Sequence, residues 1–198
     1  MEELELYIVR HGQTDWNLKG LLQGSVDIEL NSNGRQAAGE YGRKLEDTDF
    51  DCIYSSPLIR AYETACLIRG HRNIPIIRDD RLREISFGIL EGTTNFKNDP
   101  KKEIPYRYFF DEPDKYEAPP EGEEISSVME RAKDFITDEI EKLYKNKKRI
   151  MIVAHGALNK GLMCYLQGND QKHFWGDGLQ NNCDATIFTY DGQNWKLK

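Results

Sequence analysis

The sequence has no excess of basic charge. Its 198 residues carry 27 Lys and Arg against 34 Asp and Glu, for a formal net charge of −7 and a pI near 5.2. That balance argues against a nucleic-acid partner, which needs a basic face. No basic stretch opens the chain: Met1-Glu2-Glu3-Leu4-Glu5 is acidic, so no secretory leader is expected. No apolar run approaches the roughly 20 residues of a membrane span, and no membrane partner is expected. The four cysteines, Cys52, Cys66, Cys164 and Cys183, form no C-x-x-C pair. They read as reduced, mostly buried thiols of a cytoplasmic protein. Internal repeats and low-complexity linkers are also lacking. With 38% hydrophobic residues, the length suits one domain over 1–198 with a sizeable core. Against this acidic background a local cluster of Arg and His stands out.

What is present is an alternation of strands and helices. The apolar run 5–9 is a first strand, leading directly into Arg10-His11-Gly12. Residues 12–33, rich in Gly, Asn, Gln and Ser, form a long loop, and a loop of that length in a compact domain is usually functional. Asn31 or Ser32 can cap a helix from about Gly34 to Leu45, with Ala37, Tyr41 and Leu45 on one face. Cys52–Ser55 is a second strand, followed by Ser56 as N-cap and Pro57 as first helical residue of a helix to about Arg69. Pro75–Arg78 is a third strand, and Leu82 to Gly92 is rich in turns. Residues 93–123 are the least regular part, with Pro100, Pro105, Pro113, Pro119, Pro120 and the aromatic cluster Tyr106, Tyr108, Phe109, Phe110. A helix from Glu124 to about Tyr144 keeps an i, i+3, i+4, i+7 apolar rhythm. Ile150–Ala154 is apolar throughout, as expected of a central strand covered on both faces. His155-Gly156 then opens a helix that Gly168-Asn169 stops, and Ala185–Tyr190 is the last substantial strand, turned by Asp191-Gly192. This alternation predicts a mostly parallel sheet with helices on both faces.

Four segments offer chemistry at strand ends or turns, where α/β sheets bind ligands. Arg10 and His11 follow the first strand, Arg60 lies in the first turn of the helix after the second, Glu84 follows the third, and His155 follows the central strand. A phosphoryl group needs cations around its oxygens, an in-line nucleophile and a proton donor for the leaving oxygen. His11 must be neutral to offer a lone pair, and nearby Arg10 and Arg60 disfavour a second cation. Its other ring nitrogen should donate to a backbone carbonyl. Arg10 and Arg60 have forked donors suited to phosphate, and a protonated His155 would add another. Gly156 and Ala157, at a helix start, offer backbone N–H groups to an anion. Glu84 would protonate the leaving alkoxide and then activate water. Each feature also has a plain structural reading: a hydrogen-bonded His after a strand, a solvated Arg, or a surface ion pair of Glu84 with Arg81 or Arg83.

Taken together, the segments are specific. Val9-Arg10-His11-Gly12-Gln13-Thr14 with Asn17 resembles the opening signature of the histidine phosphatase (phosphoglycerate mutase-like) superfamily. Leu22-Gln23-Gly24 with Asp27, Ser55-Ser56-Pro57-Leu58-Ile59-Arg60-Ala61, Leu82-Arg83-Glu84-Ile85 with Phe87-Gly88, and Val153-Ala154-His155-Gly156 are similar to its further blocks. The resemblance implies a three-layer α/β/α sandwich and a phosphatase that works without a metal or other cofactor. It implies His11 as phosphorylated nucleophile and Arg10, Arg60 and His155 as the phosphate pocket. Glu84 is implied as acid and base, with Asn17, Gln23 and Gly24 near the phosphoryl group or substrate.

Within that superfamily, matching mutases carry Tyr where this chain has Phe87, and a longer basic insertion after it. They also have Asn where this chain has Ala157. The segment 93–123, a variable substrate-side lid, mixes Lys97, Lys101, Lys102 and Arg107 with many acids, a poor match to a doubly anionic phosphoglycerate. The phosphatase branch and a small phosphate monoester as partner are therefore expected. A cofactor-dependent phosphoglycerate mutase is one alternative and an inactive phospho-ligand-binding or protein-interaction domain the other. Monomer and homodimer both stay open.

Overall fold

The computed structural model describes residues 3–94 and 108–198. Tyr106, Arg107, Lys97, Lys101, Lys102, Pro100 and Pro105 lie outside the described residues. The elements in chain order are β1 (Leu4–Arg10), α1 (Asp15–Lys19), α2 (Ser32–Lys44), β2 (Cys52–Ser55), α3 (Ile59–Arg69) and β3 (Ile76–Arg78). After the undescribed stretch come α4 (Tyr108–Asp111), α5 (Ile125–Phe135), β4 (Arg149–Ala154), α6 (Gly156–Gln167), β5 (Ala185–Tyr190) and β6 (Trp195–Leu197).

The strands build one sheet in the order β3-β2-β4-β1-β5-β6. Strands β3, β2, β4 and β1 run parallel, with Ile8 opposite Ile152 and Tyr54 opposite Ile152 on its other side. Strand β5 is antiparallel to β1, and β6 to β5. The mostly parallel sheet expected from the alternation is thus present. Period-2 alternation of side chains divides the core into two halves. Leu6, Ile8, Tyr54, Ile150 and Ile152 bury one face together with Val128, Phe135, Leu158 and Leu162 of α5 and α6. Tyr7, Val9, Ile53, Met151 and Val153 bury the other against Ala61, Ala65 and Ile68 of α3, flanked by Tyr41 of α2. The result is the three-layer α/β/α sandwich.

Several elements differ from the sequence expectation for identifiable reasons. The expected loop 12–33 contains α1, closed by a reciprocal capping box between Thr14 and Asn17. Helix α3 starts at Ile59, not at Pro57. Its first N–H, on Ile59, donates to the Asp27 carboxylate at 2.6 Å, so the cap comes from a distant loop. The buried face of α2 is Gly34, Ala38 and Gly42, shifted from the expected Ala37 stripe. A Cβ on Gly42 would lie 2.7 Å from the Ile68 carbonyl oxygen, so only a small residue lets α2 and α3 touch there. The long helix after Glu124 widens into a π turn over Ile136–Ile140 and ends in a 3-10 turn, while Ile136 and Ile140 keep its apolar rhythm buried. Strand β6 adds a short hairpin partner beyond the expected last strand.

One contact ties the fold to the loop after His11. A Cβ on Gly34, in the first turn of α2, would lie 2.2 Å from the Gln13 carbonyl oxygen. Replacing Gly34 by Ala should therefore cost about 1–3 kcal/mol. By contrast, Gly39→Ala, where an added Cβ meets only an arginine tip at 3.8 Å, should stabilise by up to about 1 kcal/mol. Urea unfolding midpoints of the two variants check both signs.

Candidate active site

Because β1, β4 and β2 are parallel neighbours, their carboxyl ends share one edge of the sheet. Arg10 ends β1, His155 caps the helix after β4, and Arg60 is the second residue of the helix after β2. Around this edge lies a cavity of about 310 Å³. Nine of the ten residues singled out from sequence line it: Arg10, His11, Asn17, Gln23, Gly24, Arg60, Glu84, Gly156 and Ala157. The tenth, His155, is fully buried with its ring centroid 5.2 Å from that of His11.

The protonation of His11 can be read from its partner. Its Nδ1 lies 2.7 Å from the Gly12 carbonyl oxygen, which only accepts, so Nδ1 carries the hydrogen and Nε2 the lone pair. Burial, then the charges of Arg60 and Arg10, push its pKa well below the ordinary 6.5. The ring is therefore a neutral imidazole with a lone pair on Nε2.

His155 departs from the protonated donor considered above. Burial, Arg60 and His11 hold its pKa well below 6.5 as well, so it too is neutral. Its Nε2 is 2.7 Å from the Ser56 hydroxyl. Ser56 thus serves the site instead of capping α3.

Arg60 has no exposed surface. Its Nη1 and Nη2 donate to the carbonyls of Val26 (2.7 Å) and Gly24 (2.8 Å), and its Nε has no partner among the described residues. Burial lowers its pKa to about 10, which still leaves it charged at neutral pH. Arg10 donates from Nη1 to the Gln180 carbonyl, and its buried Nε likewise has no partner among the described residues. Two guanidinium groups thus keep donors free at one end of the cavity.

Glu84 corrects another expectation. The N–H groups at the start of α6, anticipated as an anion site, are occupied by this carboxylate. Leu158 donates to its Oε1 at 3.0 Å and Ala157 to its Oε2 at 3.2 Å. The helix terminus holds an internal anion. Gly156 leaves room for Leu179, since a Cβ there would lie 2.6 Å from that side chain.

Thr14, fully buried, orients two amides. Its backbone N–H donates to Asn17 Oδ1 at 3.0 Å, and its hydroxyl lies 3.0 Å from Gln23 Oε1. With both amide oxygens tied to Thr14, the NH₂ groups of Asn17 and Gln23 have no partner among the described residues. Thr64 accepts from the Gly12 N–H at 2.9 Å and donates to the Arg60 carbonyl at 2.6 Å. Asn182 lines the cavity and donates to the His11 carbonyl at 2.9 Å. Sequence reasoning gave no site role to these three and read Ser56 as a helix cap. The Thr14–Asn17 capping-box spacing was the one local signal among them. The opposite wall is apolar, formed by Leu21, Leu22, Phe87, Phe109, Phe110, Trp175 and Leu179.

The sequence model of the histidine phosphatase superfamily (branch 1) matches residues 6–198. Phosphoserine phosphatase 1 of Hydrogenobacter thermophilus is 33% identical over 195 residues, covering 98% of this chain and 91% of that protein. A 2,3-bisphosphoglycerate-dependent phosphoglycerate mutase of Cytophaga hutchinsonii is 34% identical over 168 residues, 82% of this chain and 76% of its own length. The solved structure of Bacillus stearothermophilus YhfR superposes with a TM-score of 0.89 at 34% identity, covering 98% of this chain and 95% of the other.

Two neutral, fully buried imidazoles make stability depend on pH. Once unfolded they titrate near 6.5, whereas the folded values lie well below it. As pH falls through 6.5 the unfolded chain takes up protons that the folded chain refuses, so stability is complete above that pH and declines below it. The expected slope is up to about 1.4 kcal/mol per pH unit for each histidine. Urea titrations between about pH 7.5 and 5.5 should show it, and His11→Gln should remove about half.

Proposed function

The chain belongs to the histidine phosphatase superfamily, and from that premise we propose that it hydrolyses small-molecule phosphate monoesters through a phosphohistidine on His11. The observation that carries this reading is the state of His11. Its ring is neutral, Nδ1 is engaged by Gly12, and Nε2 keeps its lone pair at a cavity flanked by arginines. In the first step Nε2 attacks phosphorus in line, the N–P bond forms and the P–O bond to the leaving group breaks. The free guanidinium donors of Arg10 and Arg60 and the amides of Asn17 and Gln23 receive the non-bridging oxygens. Glu84, held on the Ala157 and Leu158 N–H groups, takes up a proton as the phosphate monoester binds and passes it to the departing oxygen. In the second step it takes a proton from water, whose oxygen attacks phosphorus and releases His11. Neutral His155, behind His11, supports the phosphoryl end with its ring held on Ser56. The Ala157 N–H contributes by holding Glu84 in reach, and Gly156 lies beside it in the lining.

Hydrolysis is favoured over mutase transfer by the rest of the cavity. Beyond the arginines, the described lining residues supply no further cation for a second acidic group on the substrate; the wall is Phe87, Phe109, Phe110, Trp175 and three leucines. Phe109 packs edge-on against Phe87 and Trp175, with centroids about 5.1 Å apart, so this wall is continuous with the core. It suits an apolar or ring-bearing leaving group. We take residues 1–198 as one domain with 93–123 as its substrate side; residues 95–107 lie outside the described residues, and Phe109 and Phe110 from the described remainder stand in that wall. The four cysteines are unpaired, and burial pushes the thiols of Cys52, Cys164 and Cys183 up to about 11. Such unreactive thiols fit a reducing, cytoplasmic setting. No helix among the described residues is long and apolar enough to cross a membrane.

His11→Ala should reduce hydrolysis of an aryl phosphate by about 10³–10⁶-fold, while a chelator should leave the wild-type rate unchanged. Transfer between phosphoglycerate isomers faster than hydrolysis would reverse the ranking in favour of a mutase. Phosphate binding without turnover on any of a broad substrate panel would favour an inactive domain. Phe110→Ala should lower kcat/KM for naphthyl phosphate by about 10-fold and leave that of a short alkyl phosphate within about 2-fold. Competition between the two substrates measures this directly.

A further inference from the structure

The His11 ring is oriented by its own backbone, since Nδ1 donates to the carbonyl of the next residue. Ring orientation therefore depends on the peptide joining His11 and Gly12. That peptide lies past the end of β1, where no neighbouring strand holds it. Both of its polar groups are instead held by side chains: the Gly12 N–H by Thr64 and the His11 carbonyl by Asn182.

The segment carrying Asn182 grips the preceding residue as well. Arg10 donates its backbone N–H to the Asp184 carbonyl at 3.1 Å and accepts from the Cys183 N–H at 2.9 Å. Cys183, at φ 62°, adopts a left-handed backbone that a non-glycine residue rarely takes. The Gln180 carbonyl receives the Arg10 guanidinium. Gln180 is in turn fixed through its side chain. Its Nε2 donates to the Ile8 carbonyl at 3.1 Å and the Thr186 hydroxyl at 2.9 Å, and its Oε1 accepts from buried Asn159 at 2.9 Å.

We infer that Asn182 and Gln180 are positioning residues, Asn182 for the His11 nucleophile and Gln180 for the Arg10 guanidinium. The inference rests on the phosphohistidine reading. If His11 attacks phosphorus, a donor on its carbonyl sets the angle of attack. If Arg10 receives the phosphoryl oxygens, the Gln180 carbonyl sets where the fork points. The two residues then act on different kinetic quantities. Asn182 acts on the rate at which bound phosphate reaches His11, Gln180 on the affinity for the phosphoryl group.

The test is a set of purified variants assayed with an aryl phosphate, with orthovanadate as oxyanion competitor. Asn182→Ala and Asn182→Asp should lower kcat roughly 10- to 100-fold, with KM and vanadate inhibition within about 2-fold of wild type, because a small misplacement of a reacting atom costs rate more than binding. Rapid quench should show phosphoenzyme formation slowed to match. Gln180→Met, which keeps length and removes the hydrogen bonds, should weaken vanadate inhibition roughly 10-fold with a smaller loss in kcat. Asn181→Ala, next in the chain but with its side chain bonded, among the described residues, only to the exposed Asp184 carboxylate, should match wild type. Thermal melts identify variants that merely lose stability; a folded Asn182→Asp decides the matter if Asn182→Ala does not fold. Wild-type kcat in folded Asn182 variants overturns the inference, as does a raised KM with unchanged kcat, which would make Asn182 a substrate contact. His11→Ala is run in parallel. Its continued activity would overturn the phosphohistidine reading itself, whereas an inactive His11→Ala beside fully active Asn182 and Gln180 variants would overturn only this inference.

Discussion

A guanidinium with no exposed surface, unmatched among the described residues by any carboxylate at hydrogen-bond distance, is the constraint on which this structure turns. Among the described residues Arg60 is held by two carbonyls, those of Gly24 and Val26. An ion so desolvated is tolerated only where acceptors are built around it. The loop that supplies them must pass close by, and Gly24 meets that demand with φ 48° and a position where a Cβ would lie 2.0 Å from Glu91 Oε1. Glu91 in turn accepts from the N–H groups of Ser25 and Phe87. A single buried cation thereby sets the loop and the turn that carries Phe87, and adds its field, with that of Arg10, to the burial that keeps His11 neutral.

The same field explains the division of labour among the acidic and basic groups. A carboxylate left between two arginines would form an ion pair and neutralise the anion site. Glu84 is held instead by the N–H groups of Ala157 and Leu158 in α6. The helix terminus thus secures the group that moves the proton, and the arginines remain available to the phosphoryl group. Were the helix terminus the phosphate site, Glu84 would need another anchor.

Much of this was legible in sequence because it is local. An apolar run ending in Arg10-His11-Gly12, another ending in His155-Gly156, Asn31 before α2 and Gly168 after α6 all act through neighbours within a few positions. The apolar rhythm after Glu124 marked a buried helix face, whereas the stripe expected on α2 lies instead at Gly34, Ala38 and Gly42. What escaped depends on partners far apart in the chain. Asp27 caps a helix that begins 32 residues later. Ser56 looks like an N-cap by spacing, yet its hydroxyl serves His155 across 99 residues. The neutrality of His155 and the occupation of the α6 terminus by Glu84 are consequences of burial and packing, for which composition has no signature. Asn182 sits in a stretch of Gln, Asn and Cys with no periodicity to mark it. The aromatic cluster near 108–110 was visible as composition; its place in the cavity wall was set by contacts with Trp175 and Phe87 from distant segments.

Strand β5 has a consequence for how the molecule comes together. It pairs with β1 along Leu4 to Val9, and the turn leading into it reaches His11 across 171 positions. Contacts of such span require closing a long loop, so they form late and slow the folding of sheets that depend on them. Until β5 docks, β1 is an unprotected sheet edge, apolar on both faces and open to pairing with other chains. The step that shields this edge is the same one that brings Asn182 onto the His11 carbonyl. Protection from aggregation and completion of the site are thus one event, and a chain that has not finished folding has neither.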